Sequence, residues 1–299
     1  MPGRPDNTKL AIQEGYSMGD HAASFIAKAT VKAADLTHRR TVNFNISKYN
    51  MAVPLGKQQF TDVHLARERA KNIKWRALEM LDQQLEEFEA NLARRGGKVI
   101  WAEDSKQALE EIRKICEAKN CKTIVKSKSM VTEEIHLNEF LEKHGIESVE
   151  TDLGEYIQQL AGEPPYHIVT PAMHKSKEDI ARLFAEKLNT KPNLTPEQLT
   201  LVARDVLREK YVKAEIGITG ANFIIADIGG VAVSENEGNA RLSNAFPKTH
   251  IVITGVEKVI PSMNDLALFW PLLATYGTGQ QITSYNTIIS GPRQEGEPD

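Results

Sequence analysis

The sequence predicts an α/β fold, with a layered parallel sheet between helices and a smaller β element near the C-terminal end. Between residues 97 and 211, short runs rich in Ile and Val alternate with amphipathic segments of helical length. Such alternation is typical of parallel strands joined by helices. After Val212 the predicted strands follow one another directly, which indicates a mixed sheet or a second small sheet.

The bulk properties describe an ordinary globular protein. The chain has 299 residues, enough to bury a sizeable core, and its formal net charge of −3 argues against a nucleic-acid binder. No apolar run approaches the roughly 18 residues of a membrane span. Residues 1–15 lack the apolar region of a secretory signal, and two cysteines provide no disulfide framework. The expected location is the cytoplasm.

The chain divides into three parts by composition. Residues 1–60 form a predicted N-terminal helical arm, residues 61–289 the main domain, and residues 290–299 a flexible tail or linker. Within the arm, 20–37 has helical spacing, whereas 39–54 is irregular and is expected to lie across another part of the protein.

The main domain begins with one long predicted helix, 62–95, followed by an α/β core over 97–289. The helix carries a single apolar stripe that includes Leu81, Leu85 and Phe88, and Gly96 follows its end. The predicted strands of the core are 98–102, 123–125, 146–150, 167–170, 216–218, 223–227, 230–233 and 250–254. Its predicted helices are 105–119, 132–144, 155–161, 175–188, 195–211 and 262–274.

An acidic loop directly follows the buried strand 230–233. It reads Ser234-Glu235-Asn236-Glu237-Gly238-Asn239. Ligands of α/β folds bind outside the carboxyl ends of strands, so this loop is a candidate site. A carboxylate there can act as a nucleophile or accept hydrogen bonds from a polar ligand. A solvated acidic loop explains the pattern as well.

A basic loop follows the strand 123–125. Lys126-Ser127-Lys128-Ser129 lies just before a predicted helix, where backbone amides and two ammonium groups favour an anion. The alternative is simple capping of the helix by Ser129 or Thr132. Asp152 and Glu155 follow the next strand and could line the same cleft.

Metal ligands are sparse in the sequence. His167 and His174 flank one predicted strand without further ligands nearby, whereas metal sites need three or four. Cys116 and Cys121 are expected to be core thiols, because a [4Fe–4S] cluster needs four thiolates. The sequence therefore predicts no metal bound by this chain.

Three stretches together resemble the lactate-utilization protein B family. They are KSKSMVTEEIHLNEFLEKHGIESVETDLGEYI (126–157), HIVTPAMHKS (167–176) and EIGITGANFIIADIGGVAVSENEGN (215–239). The resemblance extends over nearly the whole chain. It implies a LUD domain, whose fold is similar to the NagB/RpiA/CoA-transferase group: a three-layer Rossmann-like sheet with a smaller β element.

The resemblance also implies a role. The family is the iron–sulfur subunit of a bacterial L-lactate-oxidising system, and its members continue into a ferredoxin-like domain with cysteine runs. This chain is expected to lack that domain, so [4Fe–4S] clusters are implied only for the intact protein. Other lactate-utilization subunits are the implied partners.

Some CoA-transferases carry a catalytic glutamate in a Ser-Glu-Asn-Gly turn. Ser234-Glu235-Asn236 matches this turn, but Glu237 stands where the glycine belongs and Gly238 comes one residue later. An alternative function is therefore CoA transfer with Glu235 as the nucleophile, and a third is a non-catalytic assembly scaffold.

The predicted site combines three loops that each follow a strand. Glu235 is the candidate catalytic residue. The candidate residues for a small anionic ligand are Lys126, Ser127, Lys128, Ser129, Thr219, Gly220, Ala221, Asn222, Ser234, Asn236, Glu237 and Gly238.

Overall fold

The computed structural model describes residues 18–166 and 170–297 and contains two four-stranded sheets with helices around them. The helices are α1 (Met18–Ala34), α2 (Leu36–Gly56), α3 (Val63–Glu79), α4 (Leu81–Arg94), α5 (Ser105–Ala118), α6 (Met130–Glu134), α7 (Leu137–Lys143), α8 (Leu153–Ala161), α9 (Lys177–Leu188), α10 (Pro196–Lys213), α11 (Asn239–Ala245) and α12 (Leu266–Thr278). The strands are β1 (Thr123–Lys126), β2 (Glu147–Glu150), β3 (Ile216–Thr219), β4 (Phe223–Ile225), β5 (Gly230–Glu235), β6 (Thr249–Val252), β7 (Val259–Ile260) and β8 (Tyr285–Ile289).

The first sheet is parallel throughout, in the order β2-β1-β3-β6. Successive residues of β1 point to opposite faces. Ile124 packs in a cluster with residues of α5 and α7, whereas Val125 packs with residues of α8, α9 and α10. Helices therefore cover both faces of this sheet, and the predicted α/β class with a parallel sheet is confirmed.

The second sheet is mixed, in the order β7-β4-β5-β8. β5 pairs antiparallel with both β4 and β8, whereas β7 pairs parallel with β4. This is the second small sheet that the run of consecutive strands predicted. The sequence did not predict β7, β8 or α11.

The predicted single helix over 62–95 is wrong, because the chain leaves helical geometry at Met80 (φ −115°, ψ 32°) and forms α3 and α4 instead. Ala70 and Ile73 of α3 pack against the cluster around Ile225. The apolar stripe of α4, including Phe88, packs against the cluster around Val233. The break allows the two halves to face different parts of the core.

The predicted strand at 98–102 is also wrong. This segment has no strand partner, and Trp101 instead donates from Nε1 to Glu89 Oε2 of α4 at 3.1 Å. The predicted helix 132–144 is divided into α6 and α7, because His136 adopts a left-handed conformation with φ +55°. Of the predicted strand 167–170, residues 167–169 lie outside the described residues, and Thr170 belongs to no element.

Residues 39–54 lie across the main domain, as predicted, but they are helical and form most of α2. α2 packs against the end of α12, where a Cβ on Gly56 would lie 2.5 Å from the carbonyl oxygen of Gly279. Just beyond α2, Gln59 donates to Thr275 Oγ1 at 2.6 Å. Among the helices in the described part of the chain, none is long and apolar enough to cross a membrane.

Candidate functional site

Three predicted loops meet at the carboxyl end of the parallel sheet. β1 and β3 are neighbouring parallel strands, so the loops 127–130 and 220–222 leave the same edge. A Cβ on Gly220 would lie 2.9 Å from Ser129 Oγ, so these two loops are in contact. The loop 234–239 reaches the same place from the second sheet, since Glu237 Oε2 accepts a hydrogen bond from Leu153 N at 3.3 Å.

Lys126, at the end of β1, points inward rather than toward the loop surface. Its side chain is 1% exposed, and Nζ lies 2.7 Å from Glu150 Oε1 at the end of β2. Nζ also donates to Thr132 Oγ1 at 2.9 Å and lies 3.4 Å from Glu133 Oε1. The β1–β2 register places Lys126 directly beside Glu150. The carboxylates of Glu150 and Glu133 therefore compensate the positive charge of this ammonium group inside the protein.

A second carboxyl group, Glu155 in the first turn of α8, lies beside this pair. Glu150 and Glu155 are 2% and 3% exposed. Burial raises the pKa of Glu150, and the Lys126 ammonium opposes that rise. Burial, followed by the charge of Glu150, raises the pKa of Glu155 to about 8. The cluster therefore holds its carboxyl groups in an environment that disfavours further negative charge.

Glu133, Glu150 and Glu155 also satisfy the geometry of a metal-binding group. One carboxylate oxygen from each lies within 4.8 Å of the other two. The sequence pattern indicated Glu155 as a possible site residue but not Glu133 or Glu150. Only the pairing of β1 with β2 and the position of α6 bring them together, so no spacing along the chain reveals the group.

The other residues of the basic loop have different roles. Ser127 is buried, and its backbone N donates to the Ile218 carbonyl at 2.9 Å. Ser129 caps α6 by accepting from Thr132 N at 3.4 Å, which is the capping that the sequence left open. Lys128 is half-buried and lies close enough to Glu237 to interact electrostatically. Lys128 is thus the lysine of this loop that can face a ligand.

Thr219 ends β3 and is fully buried. Its Oγ1 lies 2.9 Å from His250 Nε2 on the neighbouring strand β6. Burial lowers the pKa of His250 to about 4, so the imidazole is neutral at pH 7. Thr219 therefore stabilises the sheet edge rather than facing the cleft.

Polar side chains tie the acidic loop to its surroundings. Asn222 Oδ1 accepts from Ser234 N at 2.7 Å, and Ser234 Oγ donates to Asn286 Oδ1 at 3.0 Å. Asn236 exchanges two hydrogen bonds with the side-chain amide of Gln280, at 2.9 and 3.0 Å. Ala221, which precedes Asn222, packs against an apolar cluster.

Both oxygens of the Glu235 carboxylate already accept hydrogen bonds from backbone amides. They accept from Ala240 N at 2.8 Å and from Arg241 N at 3.0 Å, at the start of α11. Gly238 precedes the helix with φ +82°, a conformation that favours glycine. This geometry is that of a capping carboxylate, and the catalytic role of Glu235 stays a prediction.

The remaining metal-ligand candidates are separate from this site. His174 Nε2 lies 3.1 Å from Glu163 Oε2, and His167 lies outside the described residues. Cys116 and Cys121 are free thiols buried in one core cluster, as predicted.

A concave surface of about 620 Å³ lies elsewhere, between α3 and the start of α12. Its lining includes Arg69, Arg76 and Asp265, and it shares no residue with the three loops. The convergent polar groups and perturbed pKa values lie at the sheet edge, so they favour the three loops over this surface as the candidate site.

Comparison with known proteins places the site within a family. Residues 85–299, which include every residue of the three loops, match the LUD domain. Lactate utilization protein B of Bacillus velezensis is 49% identical over 234 residues, covering 78% of this chain and 49% of that protein. The protein of the same name from Bacillus subtilis is 48% identical with the same coverage. That of Lysinibacillus sphaericus is 44% identical over 243 residues, covering 81% of this chain and 51% of the other.

The chain thus spans about half the length of the curated relatives it matches. Among solved structures, a DUF162 family protein from Deinococcus radiodurans is 12% identical with a TM-score of 0.22, covering 63% of this chain and 90% of that chain. The extent of the LUD domain match and the identity to these relatives establish the family. The chain belongs to the LUD domain family.

Proposed function

We propose that this chain is the LUD-domain part of an iron–sulfur electron-transfer protein that takes part in the oxidation of L-lactate to pyruvate in the cytoplasm. The identity of 48–49% to proteins named lactate utilization protein B is the observation that carries this proposal. The match to the LUD domain includes the whole cleft.

In this proposal the cleft between the loops 126–130, 219–222 and 234–239 binds a small anionic ligand or a partner subunit. Lys128 supplies the accessible positive charge, because the charge of the buried Lys126 is compensated by Glu150. Asn236 and Glu237 are exposed at the rim, where they can donate to or accept from a polar ligand. Lys126 contributes indirectly by supporting the floor of the cleft.

The [4Fe–4S] clusters of the proposed protein are held by residues outside this chain. A cluster needs four thiolates, and the two cysteines here are buried in an apolar core. Electrons from lactate would reach those clusters through the other lactate-utilization subunits, which are the proposed partners. The domain described here would position a ligand or a subunit beside them.

An assembly role is the second candidate, because α1 presents apolar side chains to solvent. Phe25, Ile26 and Val31 are 71%, 62% and 74% exposed. A scaffold would use such a surface to contact another subunit. CoA transfer through Glu235 stays a prediction that no specific contact favours, since backbone amides occupy both carboxylate oxygens.

Calorimetric titration of the chain with L-lactate, pyruvate, nucleotides and CoA esters tests the ligand proposal. We expect one class of anion to bind, and Lys128→Ala to weaken it by about tenfold, equivalent to about 1.4 kcal/mol. Lys143→Ala, at an exposed position of α7, is the matched control and should have no effect. If no compound binds while lactate-utilization subunits co-purify with the chain, the scaffold is correct. If neither occurs, the proposed function is wrong.

A further inference from the structure

The carboxylates of Glu133, Glu150 and Glu155 converge below the cleft, at the carboxyl ends of β1 and β2. Three chain segments supply them: α6, the end of β2 and the first turn of α8. Their nearest oxygens lie within 4.8 Å of one another, about twice the 2.3–2.6 Å length of a bond from Ca²⁺ to oxygen. A single ion can therefore contact all three.

Carboxyl groups outnumber cationic groups among the described residues of this cluster. Three carboxyl groups lie around one ammonium group, Lys126 Nζ, which contacts Glu150 and lies near Glu133. An ionised carboxylate is strongly unfavourable inside a protein unless a counter-charge is present. A divalent cation would supply such a counter-charge to the buried carboxyl groups.

Polar atoms in this region also have unfilled hydrogen-bonding capacity. Glu150 Oε2 is buried and has no hydrogen-bond partner among the described residues. Gln158 is 1% exposed, and neither atom of its side-chain amide has such a partner. Gln158 follows Glu155 by three residues on α8, so the two side chains lie on the same face of that helix, and a helical side chain leans toward the N-terminal turn, where Glu155 lies.

We propose that Glu133, Glu150 and Glu155 bind a divalent metal ion, with the amide oxygen of Gln158 as a further ligand. The donors are all oxygens, which suit Mg²⁺, Mn²⁺ and Ca²⁺ rather than zinc or copper. Glu133 is 29% exposed at its side chain, so it connects the buried pair to solvent and gives the ion a route of entry. This site is independent of the ligand proposed for the cleft.

Binding of Mn²⁺ to the metal-free chain tests the proposal. Electron paramagnetic resonance of free Mn²⁺ measures the affinity, and competition with Mg²⁺ and Ca²⁺ measures the selectivity. We expect one saturable site, and Glu133→Gln and Glu155→Gln should each weaken binding by about tenfold or more. Glu139→Gln is the matched control, because Glu139 is exposed on α7 and lies outside the cluster.

Circular dichroism establishes that each variant is folded, and Glu133→Gln is the decisive variant because its side chain is partly exposed. Broadening by Mn²⁺ of the amide signals of residues 126, 133 and 150 locates the ion independently of the affinities. Absence of saturable binding overturns the proposal, and so does binding that survives in Glu133→Gln and leaves these signals sharp. In either case the cluster holds its carboxyl groups without a metal ion.

Discussion

The pairing of Lys126 with Glu150 determines how charge is distributed at the floor of the site. Their Cα atoms are partners in the β1–β2 register, so the two side chains extend from adjacent strands to the same face. Both are almost fully buried, and each relies on the other for its counter-charge. The structure thus changes the predicted role of Lys126 from an anion ligand to a structural part of the floor.

Replacing Lys126 by Met removes the ammonium while keeping the length of the side chain. It leaves the buried Glu150 without its closest positive charge, and breaking such a pair costs about 3–5 kcal/mol. We therefore expect the free energy of unfolding, measured with urea in the absence of metal, to fall by that amount. Lys143→Ala should change it by less than about 0.5 kcal/mol. A loss below about 1 kcal/mol for Lys126→Met would show that the pair contributes little.

His250 makes stability depend on pH. Its pKa is lowered to about 4 in the folded protein, from an ordinary value of 6.5, so the unfolded chain binds more protons between these values. Stability should therefore fall as the pH is lowered from 6.5 to 4, by up to about 3 kcal/mol from this residue. His250→Gln should remove this part of the pH dependence in urea unfolding. Equal profiles of stability against pH for wild type and His250→Gln would refute the assignment.

At the scale of elements, the close approach of α11 to β3 fixes where the acidic loop lies. A Cβ on Gly217 would lie 1.7 Å from the Ser243 carbonyl oxygen, so the helix can pack here only against glycine. α11 in turn supplies the amides that hold Glu235. One contact between elements thus orients a whole loop of the site.

Gly217→Ala should separate α11 from β3 and destabilise the protein by about 3 kcal/mol or more, at the upper end of overpacking effects. Gly277→Ala provides the contrast, because Gly277 lies in α12 with no atom within 4 Å of the added Cβ. That substitution should stabilise the protein by about 0.5–1 kcal/mol through helix propensity. Thermal unfolding of both variants measures the difference, and similar melting temperatures would contradict the packing argument.

The elements predicted correctly are those whose signal lies in neighbouring residues of the sequence. β1, α5 and α10 begin or end within three residues of the prediction, because periodicity and caps such as Thr195 are readable along the chain. The segment 98–102 has the composition of a strand but finds no partner, so it lies on α4 instead. The strand β8 became recognisable only through its pairing with β5.

The sequence predicted that the three loops converge, because loops that follow neighbouring parallel strands leave the same edge of the sheet, and the loops do meet. That a ligand binds there stays a proposal. The carboxylates of Glu133 and Glu150 were missed, because residues far apart in sequence become neighbours only through strand register and helix placement.

At the scale of the whole molecule, the arm has two parts with different roles. The side chains of α1 described in the structure, residues 22–34, are all exposed, whereas α2 contacts α12 and the segment around Met173. A Cβ on Gly56 would clash with Gly279, and a Cβ on Gly279 would clash with Ala52 of α2. α2 is therefore part of the fold, and α1 is available to a partner.

Two truncations test this division. Removing residues 1–34 should change the free energy of unfolding by less than about 0.5 kcal/mol, since no described side chain of α1 is buried. Removing residues 1–60 should destabilise the protein by several kcal/mol, because it uncovers α12 and leaves Thr275 without its bond from Gln59. Equal stability of the two truncated chains would show that α2 is dispensable.

The proposed ligand site of this LUD domain is the cleft at the carboxyl end of the parallel sheet. It is tested by the change in backbone amide chemical shifts on addition of the anion that calorimetry identifies. We predict that the changes concentrate in residues 126–130, 219–222 and 234–239, which lie together in the structure. Changes confined to the surface between α3 and α12, around Arg69 and Arg76, would contradict the claim.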